Sequence, residues 1–196
     1  MDCTKVNLLS PLSGSIPKVT RVTKTDMNKL PIELYKENAM NEPKLKHTKG
    51  NLLNLAAAGK FDIIIHGANC FNTMGGGIAK EIRQRYPEAA KVDGGTIQGD
   101  YRKLGNWTEC IVKDGFTILN CYTQYNMSTG QDVFEYEAFA LILKKLVHEF
   151  PGKSFGVPYI GMGLAMGDAT IILELLEDFA RAMHNTEGSV TLVEFA

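Results

Sequence analysis

Cysteine is scarce and scattered: four residues in 196, at positions 3, 70, 110 and 121, form no CxxC pair and none of the close spacing of a disulfide framework. The four histidines gather with no other ligand into a zinc site. Reduced thiols and a cytoplasmic setting are the expectation. An excess of charge is missing too, because 21 Lys+Arg against 22 Asp+Glu leave a net charge of -1. No overall positive field therefore draws in nucleic acid or an anionic membrane, and an anionic ligand has to be held by local geometry. No apolar run approaches the roughly 20 residues that span a bilayer, and the start of the chain lacks the basic and then apolar stretches of an export signal.

What remains, 44% hydrophobic and 22% charged residues, suits one medium domain that buries its own core, with or without an arm. Residues 1–43 are polar, interrupted by Pro11, Pro17, Pro31 and Pro43, and form an N-terminal extension whose role is not readable. From residue 44 short β-branched runs alternate with helical periodicity, which is the signature of βα units. The pattern predicts a short helix over 52–58 stopped by Gly59 and a doubly covered strand over 61–66. A glycine loop over 67–77 then leads to a helix closed by Pro87. A hairpin is expected from 106–112 and 116–122 around Lys113-Asp114-Gly115, followed by an amphipathic helix over 134–150. The strand–glycine loop–helix pattern then returns over 154–160, 161–167 and 168–184, and a last strand covers 189–195. The Lys44–His47 cluster reads as a solvated edge.

Two buried strands that each run into a glycine-rich loop and then a helix carry the functional argument. Parallel strands deliver their carboxyl ends to one edge of the sheet, so both loops can line one crevice. Glycine admits a close backbone approach, and a helix start adds the positive end of its dipole; the expected guest is a phosphate or diphosphate. Neither loop is GxxxxGK[ST] or GxGxxG, so nucleotide hydrolysis and hydride transfer lose support.

Gly50-Asn51-Leu52, the run Ile64-Ile65-His66-Gly67-Ala68-Asn69-Cys70 leading to Met74-Gly75-Gly76-Gly77-Ile78-Ala79, and Gly156 through Asp168 with its Gly161-Met162-Gly163-Leu164-Ala165-Met166-Gly167 loop resemble the macrodomain, an ADP-ribose-binding fold. The resemblance covers about 44–196 and is nearest to the stand-alone ADP-ribose 1″-phosphate phosphatases, a branch that includes phage-encoded proteins acting in the host cytoplasm. It implies a three-layer α/β/α architecture around a central mixed, mostly parallel sheet. It also implies metal-independent hydrolysis of ADP-ribose 1″-phosphate to ADP-ribose and phosphate, with no cofactor. Removal of ADP-ribose from modified protein or nucleic acid, or non-catalytic reading of ADP-ribose, are the alternatives.

Carried over residue by residue, Asn69 is expected at the distal ribose hydroxyls, Gly75, Gly76, Gly77 and Ile78 on one side of the diphosphate, and Gly161, Met162, Gly163 and Leu164 on the other. Asn51 and Leu52 fall at the adenine end, where many macrodomains have Asp in place of Asn51. His66 is expected as an acid or as a positioner of the terminal phosphate. Asp168 is expected to orient or deprotonate water, and a helix cap accounts for it equally well. Ala165 stands where some ADP-ribosyl-glutamate hydrolases have an acid. Cys70 reads as a buried thiol, and Tyr125 or Asn126 as a neighbour of the crevice.

Overall fold

The structure, a computed structural model, describes residues 45–127 and 130–196. The extension expected over 1–43 and Cys3 lie outside the described residues. The elements are β1 (Lys46–Lys49), α1 (Leu52–Ala57), β2 (Ile63–Asn69), α2 (Gly77–Arg85), α3 (Pro87–Gly94), a 3-10 turn (Tyr101–Lys103), β3 (Trp107–Ile111), β4 (Thr117–Gln124), α4 (Tyr136–Glu149), β5 (Ser154–Val157), α5 (Ala169–His184) and β6 (Ser189–Glu194).

The six strands lie in the order β1-β6-β5-β2-β4-β3, and only the β3–β4 pair is antiparallel. β2 is central, with β5 on one side and β4 on the other. Its uninterrupted apolar run follows from this position, because both of its faces are covered by helices. One apolar layer joins the sheet to α4 and α5 through Ile65, Leu119, Phe139, Leu146, Phe155, Leu176 and Phe179. The other joins it to α1, α2 and α3 through Leu53, Ile64, Ile82, Tyr86, Ala89 and Ile118. The fold is thus three-layered, α/β/α. Each large apolar side chain that is fully buried contributes about 1.5–3 kcal/mol, and α5 alone buries Ile172, Leu176, Phe179 and Met183 on one stripe.

Five elements differ from the sequence pattern. β2 continues past His66 to Asn69, because Gly67, Ala68 and Asn69 pair with Cys121, Tyr122 and Gln124 of β4, with an irregularity at Ala68/Asn69. β4 accordingly runs on to Gln124. Pro87 separates two helices: it begins α3 at a position where the missing N–H has no intrahelical partner to lose. The Lys44–His47 cluster, expected as a solvated edge, overlaps β1, an exposed edge strand that pairs in parallel with β6. β5 stops at Val157, where Pro158 has no N–H to donate.

Candidate functional site

The carboxyl ends of β2, β4 and β5 open onto a cleft of about 410 Å³, within the size range of small-molecule sites. Asn69, Thr73 and the Gly75-Gly76-Gly77-Ile78-Ala79 stretch form one wall; Pro158, Tyr159, Ile160, Gly161, Gly163, Leu164 and Ala165 form the other; Gly67, Gln124 and Met127 complete it. The structure therefore brings the two glycine loops to one crevice. They meet at its rim, where a Cβ at Gly76 would come 2.7 Å from Leu164 Cδ1. Gly161 has φ +76, and a Cβ there would lie 2.3 Å from Phe134 Cε2, so both conformation and space call for glycine.

The chemistry of the lining is backbone chemistry. No Lys, Arg, His, Asp or Glu contributes to this cleft among the described residues, and Tyr159 is its one ionisable side chain. α2 begins at Gly77 behind the Gly76 N-cap, with no side-chain cap, so its first-turn N–H groups and positive dipole end remain available at the Gly77–Ala79 wall. An anion fits this wall without any cationic residue. Among the described residues no three His, Cys, Asp or Glu side chains are grouped to hold a metal ion.

Of the expected contacts, Asn69, Gly75, Gly76, Gly77, Ile78, Gly161, Gly163 and Leu164 line the cleft. Met162 instead packs against the α4/α5 side of the core. Asn51 and Leu52 line an adjoining cavity of about 400 Å³, with Glu81, Val193 and Phe195, which shares Gly77, Ile78 and Pro158 with the cleft. The Asn51 side chain is already committed: Oδ1 accepts from the Asn54 N–H at 2.9 Å as the α1 cap, and Nδ2 donates to Glu81 Oε1 at 2.8 Å. The carboxylate in that cavity belongs to Glu81.

The two residues expected to be catalytic stand apart from the cleft. His66 is inside β2, fully buried, on the face that packs against α2 and α3. Its Nε2 is 2.7 Å from Asn120 Oδ1, while Asn120 Nδ2 donates to Ala89 O and Thr108 Oγ1. Those donations orient the amide so that the ring donates through Nε2–H, and Nδ1 lies 3.1 Å from Gly67 O. Burial holds the imidazole below its ordinary pKa, against the partial compensation of the Asn120 and Gly67 contacts. The ring is enclosed and lies outside the cleft lining. Asp168 caps α5, accepting from Thr170 N at 2.8 Å, and its own N–H donates to Tyr136 Oη at 2.7 Å. It faces solvent, outside the cleft lining.

Sequence reasoning missed the polar brace behind the first loop. Asn69 Nδ2 donates to Thr73 Oγ1 at 2.6 Å and Thr73 O at 3.1 Å, and Asn69 Oδ1 accepts from Phe71 N at 3.0 Å. Lys103, almost fully buried, donates to Cys70 O at 3.0 Å and to Asn72 Oδ1, and its ammonium lies 4.4 Å from the centre of the Tyr122 ring. Tyr122 in turn donates to Asp93 Oδ1 at 2.8 Å. Burial pushes the Asp93 carboxyl up and the Lys103 ammonium down, each opposed by the charge of the other. Residues 93 and 103 precede the hairpin, outside both glycine loops, and the local pattern carries no sign of this contact. Gln124 and Met127, rather than Tyr125 and Asn126, border the cleft.

No family model matches the chain. An uncharacterized 17.5 kDa protein of Enterobacteria phage T4 is 31% identical over 146 residues, a stretch that covers 69% of this chain and 90% of the phage protein. The macrodomain of Thermus aquaticus DarG superposes with a TM-score of 0.58 at 18% identity, covering 78% of this chain and 97% of that one. Thermosipho africanus DarTG, solved in complex with ADP-ribose, superposes with a TM-score of 0.60 at 14% identity, over 77% of this chain and 42% of that one. The chain belongs to the same family as the phage T4 protein, and its fold is that of the macrodomains.

Proposed function

We propose that the cleft binds ADP-ribose and that the protein is a hydrolase acting on conjugates at the 1″ position of the distal ribose. The carrying observation is the pair of glycine loops facing each other across a cleft with an uncapped helix start in its wall. In this reading the diphosphate lies between Gly75–Ile78 and Gly161–Leu164, the distal ribose lies against Asn69, and adenine occupies the adjoining cavity over Leu52. Glu81, rather than Asn51, accepts from the adenine amino group, because both polar atoms of the Asn51 amide are engaged. The solved ADP-ribose complex of a protein with this fold supports the same ligand.

Hydrolysis adds one water across the scissile bond, its hydroxyl going to one fragment and its proton to the other, so that ADP-ribose leaves with a free 1″-hydroxyl. For the 1″-phosphate ester the products are ADP-ribose and inorganic phosphate. A phosphate ester adds up to two negative charges beside the diphosphate, and among the described residues no cationic side chain lines the cleft to offset them. Conjugates that are uncharged at the link suit the lining better, which makes removal of ADP-ribose from a modified macromolecule the preferred activity and the 1″-phosphatase the second reading. His66 and Asp168 act as positioning residues, one beneath the end of β2 and one at the start of α5.

The experiment is titration of the purified chain with ADP-ribose by calorimetry. Product analysis after incubation with ADP-ribose 1″-phosphate, ADP-ribosylated protein and ADP-ribosylated DNA, with and without chelator, completes it. Binding of ADP-ribose and faster cleavage of macromolecular adducts are expected. Absence of ADP-ribose binding overturns the reading, and phosphate release as the faster reaction moves the assignment to the phosphatase.

A further inference from the structure

Two side-chain amides stand at one end of the cleft, and they differ in what they can still offer a ligand. Asn69 and Gln124 are the last residues of β2 and β4, they pair with each other across the ladder, and both line the cleft. The Asn69 amide is fully engaged. Its Nδ2 hydrogens go to Thr73 Oγ1 at 2.6 Å and Thr73 O at 3.1 Å, and its Oδ1 accepts from Phe71 N at 3.0 Å and Thr73 N at 3.4 Å. A primary amide has two donor hydrogens and two acceptor lone pairs, so these four bonds leave nothing for a ligand. Gln124 is half-buried, and among the described residues its side chain makes one hydrogen bond, from Nε2 to Asn126 O at 2.8 Å. A carbonyl oxygen accepts and cannot donate, so this contact fixes which way the amide is turned. One Nε2 hydrogen and both lone pairs of Oε1 stay available. The ladder itself brings Gln124 to this place: Ala68 pairs with Tyr122 and Asn69 with Gln124, which leaves Thr123 as an extra residue on β4. An extra residue bends its strand and re-aims the side chain that follows. Gly67 keeps the floor beside it open, since a Cβ there would press on Thr123 Oγ1 at 3.0 Å.

We infer that Gln124, rather than Asn69, hydrogen-bonds the distal ribose, and that Asn69 acts on the ligand through the loop that faces the diphosphate. The inference rests on the ADP-ribose reading of the cleft and adds the residue that tells ADP-ribose from a ligand that ends at the diphosphate. The distal sugar carries neighbouring hydroxyls at 2″ and 3″, each able to donate and to accept. A carboxamide with a free N–H and a free oxygen meets such a diol with a pair of hydrogen bonds: Oε1 accepts from one hydroxyl, and Nε2 donates to the oxygen of the other. The sugar rests against Asn69 and draws no hydrogen bond from its side chain, because a bond to the ligand would first have to release Thr73 or Phe71. Asn69 is a positioning residue in this arrangement. It holds the turn from which Gly75, Gly76 and Gly77 follow, and its effect reaches the diphosphate rather than the sugar.

The test is calorimetric titration of wild type, Gln124→Met and Asn69→Ala with two ligands: ADP-ribose, and ADP, which keeps adenosine and the diphosphate and has no second sugar. Methionine keeps the length of glutamine and removes its hydrogen bonds. Wild type is expected to bind ADP-ribose more tightly than ADP. Gln124→Met is expected to weaken ADP-ribose about tenfold and to bind ADP as wild type does. Asn69→Ala is expected to weaken both ligands by the same factor, because it frees the loop rather than the sugar; should that variant not fold, the Gln124→Met comparison decides alone. If Gln124→Met binds ADP-ribose as wild type does, or loses both ligands equally, the inference falls while the cleft assignment stands. A loss in Asn69→Ala confined to ADP-ribose returns the sugar to Asn69 and overturns the inference as well. If wild type binds neither ligand, the cleft assignment itself has failed and the inference goes with it.

Discussion

The two glycine loops face the same cleft but are built in opposite ways. The first leads into α2 through Gly76, which leaves the helix start without a side-chain cap. It is held from behind by polar contacts, with Lys103 on Cys70 O and Asn72 and with Asn69 on Thr73. The second leads into α5, whose first N–H groups are taken by Asp168. It is held by packing, with Gly161 pressed on Phe134 and Ala165 buried in the α4/α5 core. One wall therefore offers amides and a dipole to an anion, while the other acts as a shaped cover. The α5 dipole, which the repeated strand–loop–helix pattern suggested as a second anion site, is already satisfied from within.

The largest expected break is Gly161→Ala. The new methyl group would meet the Phe134 ring at 2.3 Å in a backbone of φ +76, and a cost of about 3 kcal/mol is expected. Urea unfolding should show that loss, and calorimetry should show ADP-ribose binding abolished. Lys103→Met tests the polar wall. It removes two charge-assisted hydrogen bonds to the first loop, for an expected loss of about 2 kcal/mol in urea unfolding, with weaker ADP-ribose binding.

His66 gives the polar side a pH dependence. Burial keeps its folded pKa below 6.5, so as the pH falls through that value the unfolded chain takes up a proton that the fold refuses. Stability from this group is complete above the unfolded pKa and is lost below it, by up to about 1.4 kcal/mol per pH unit until the folded pKa is reached. Asp93 has the opposite sign. Its folded pKa is raised above 3.8, so the fold keeps a proton that the unfolded chain releases, and its contribution is present at low pH and lost as pH rises through the folded value. Urea midpoints should therefore fall between about pH 7.5 and pH 5.5, and less so in His66→Gln. The smallest effect is expected from Asp168→Ala, a lost cap worth about 1 kcal/mol in the same assay, with ADP-ribose affinity unchanged.

Much of this comparison is legible in the sequence, because β2, β5, α4 and α5 carry long apolar runs or a clear helical stripe, and the glycines sit where the strands end. β1 is not, since Lys46-His47-Thr48-Lys49 has no apolar residue and owes its strand to pairing with β6. α3 is hidden because Pro87 reads equally as a stop and as a first helical residue. The layer that His66 enters is hidden for a different reason. In a strand covered on both faces, polar and apolar residues do not alternate, so nothing local says which layer a side chain enters. Asp168 carries both meanings in the sequence, and its hydrogen bonds with the Thr170 and Ile171 amides show the cap. The Lys103 brace joins residues about thirty positions apart, and only the folded chain reveals it.

Cys70 sits directly behind the first loop, fully buried, with a thiol that burial pushes up to about 11. Thiolates, not thiols, attack alkylating reagents, so this sulfur is protected both by enclosure and by its own proton. Its labelling rate becomes a built-in clock for how often that wall breathes, and the occupied cleft should slow it without any engineered probe.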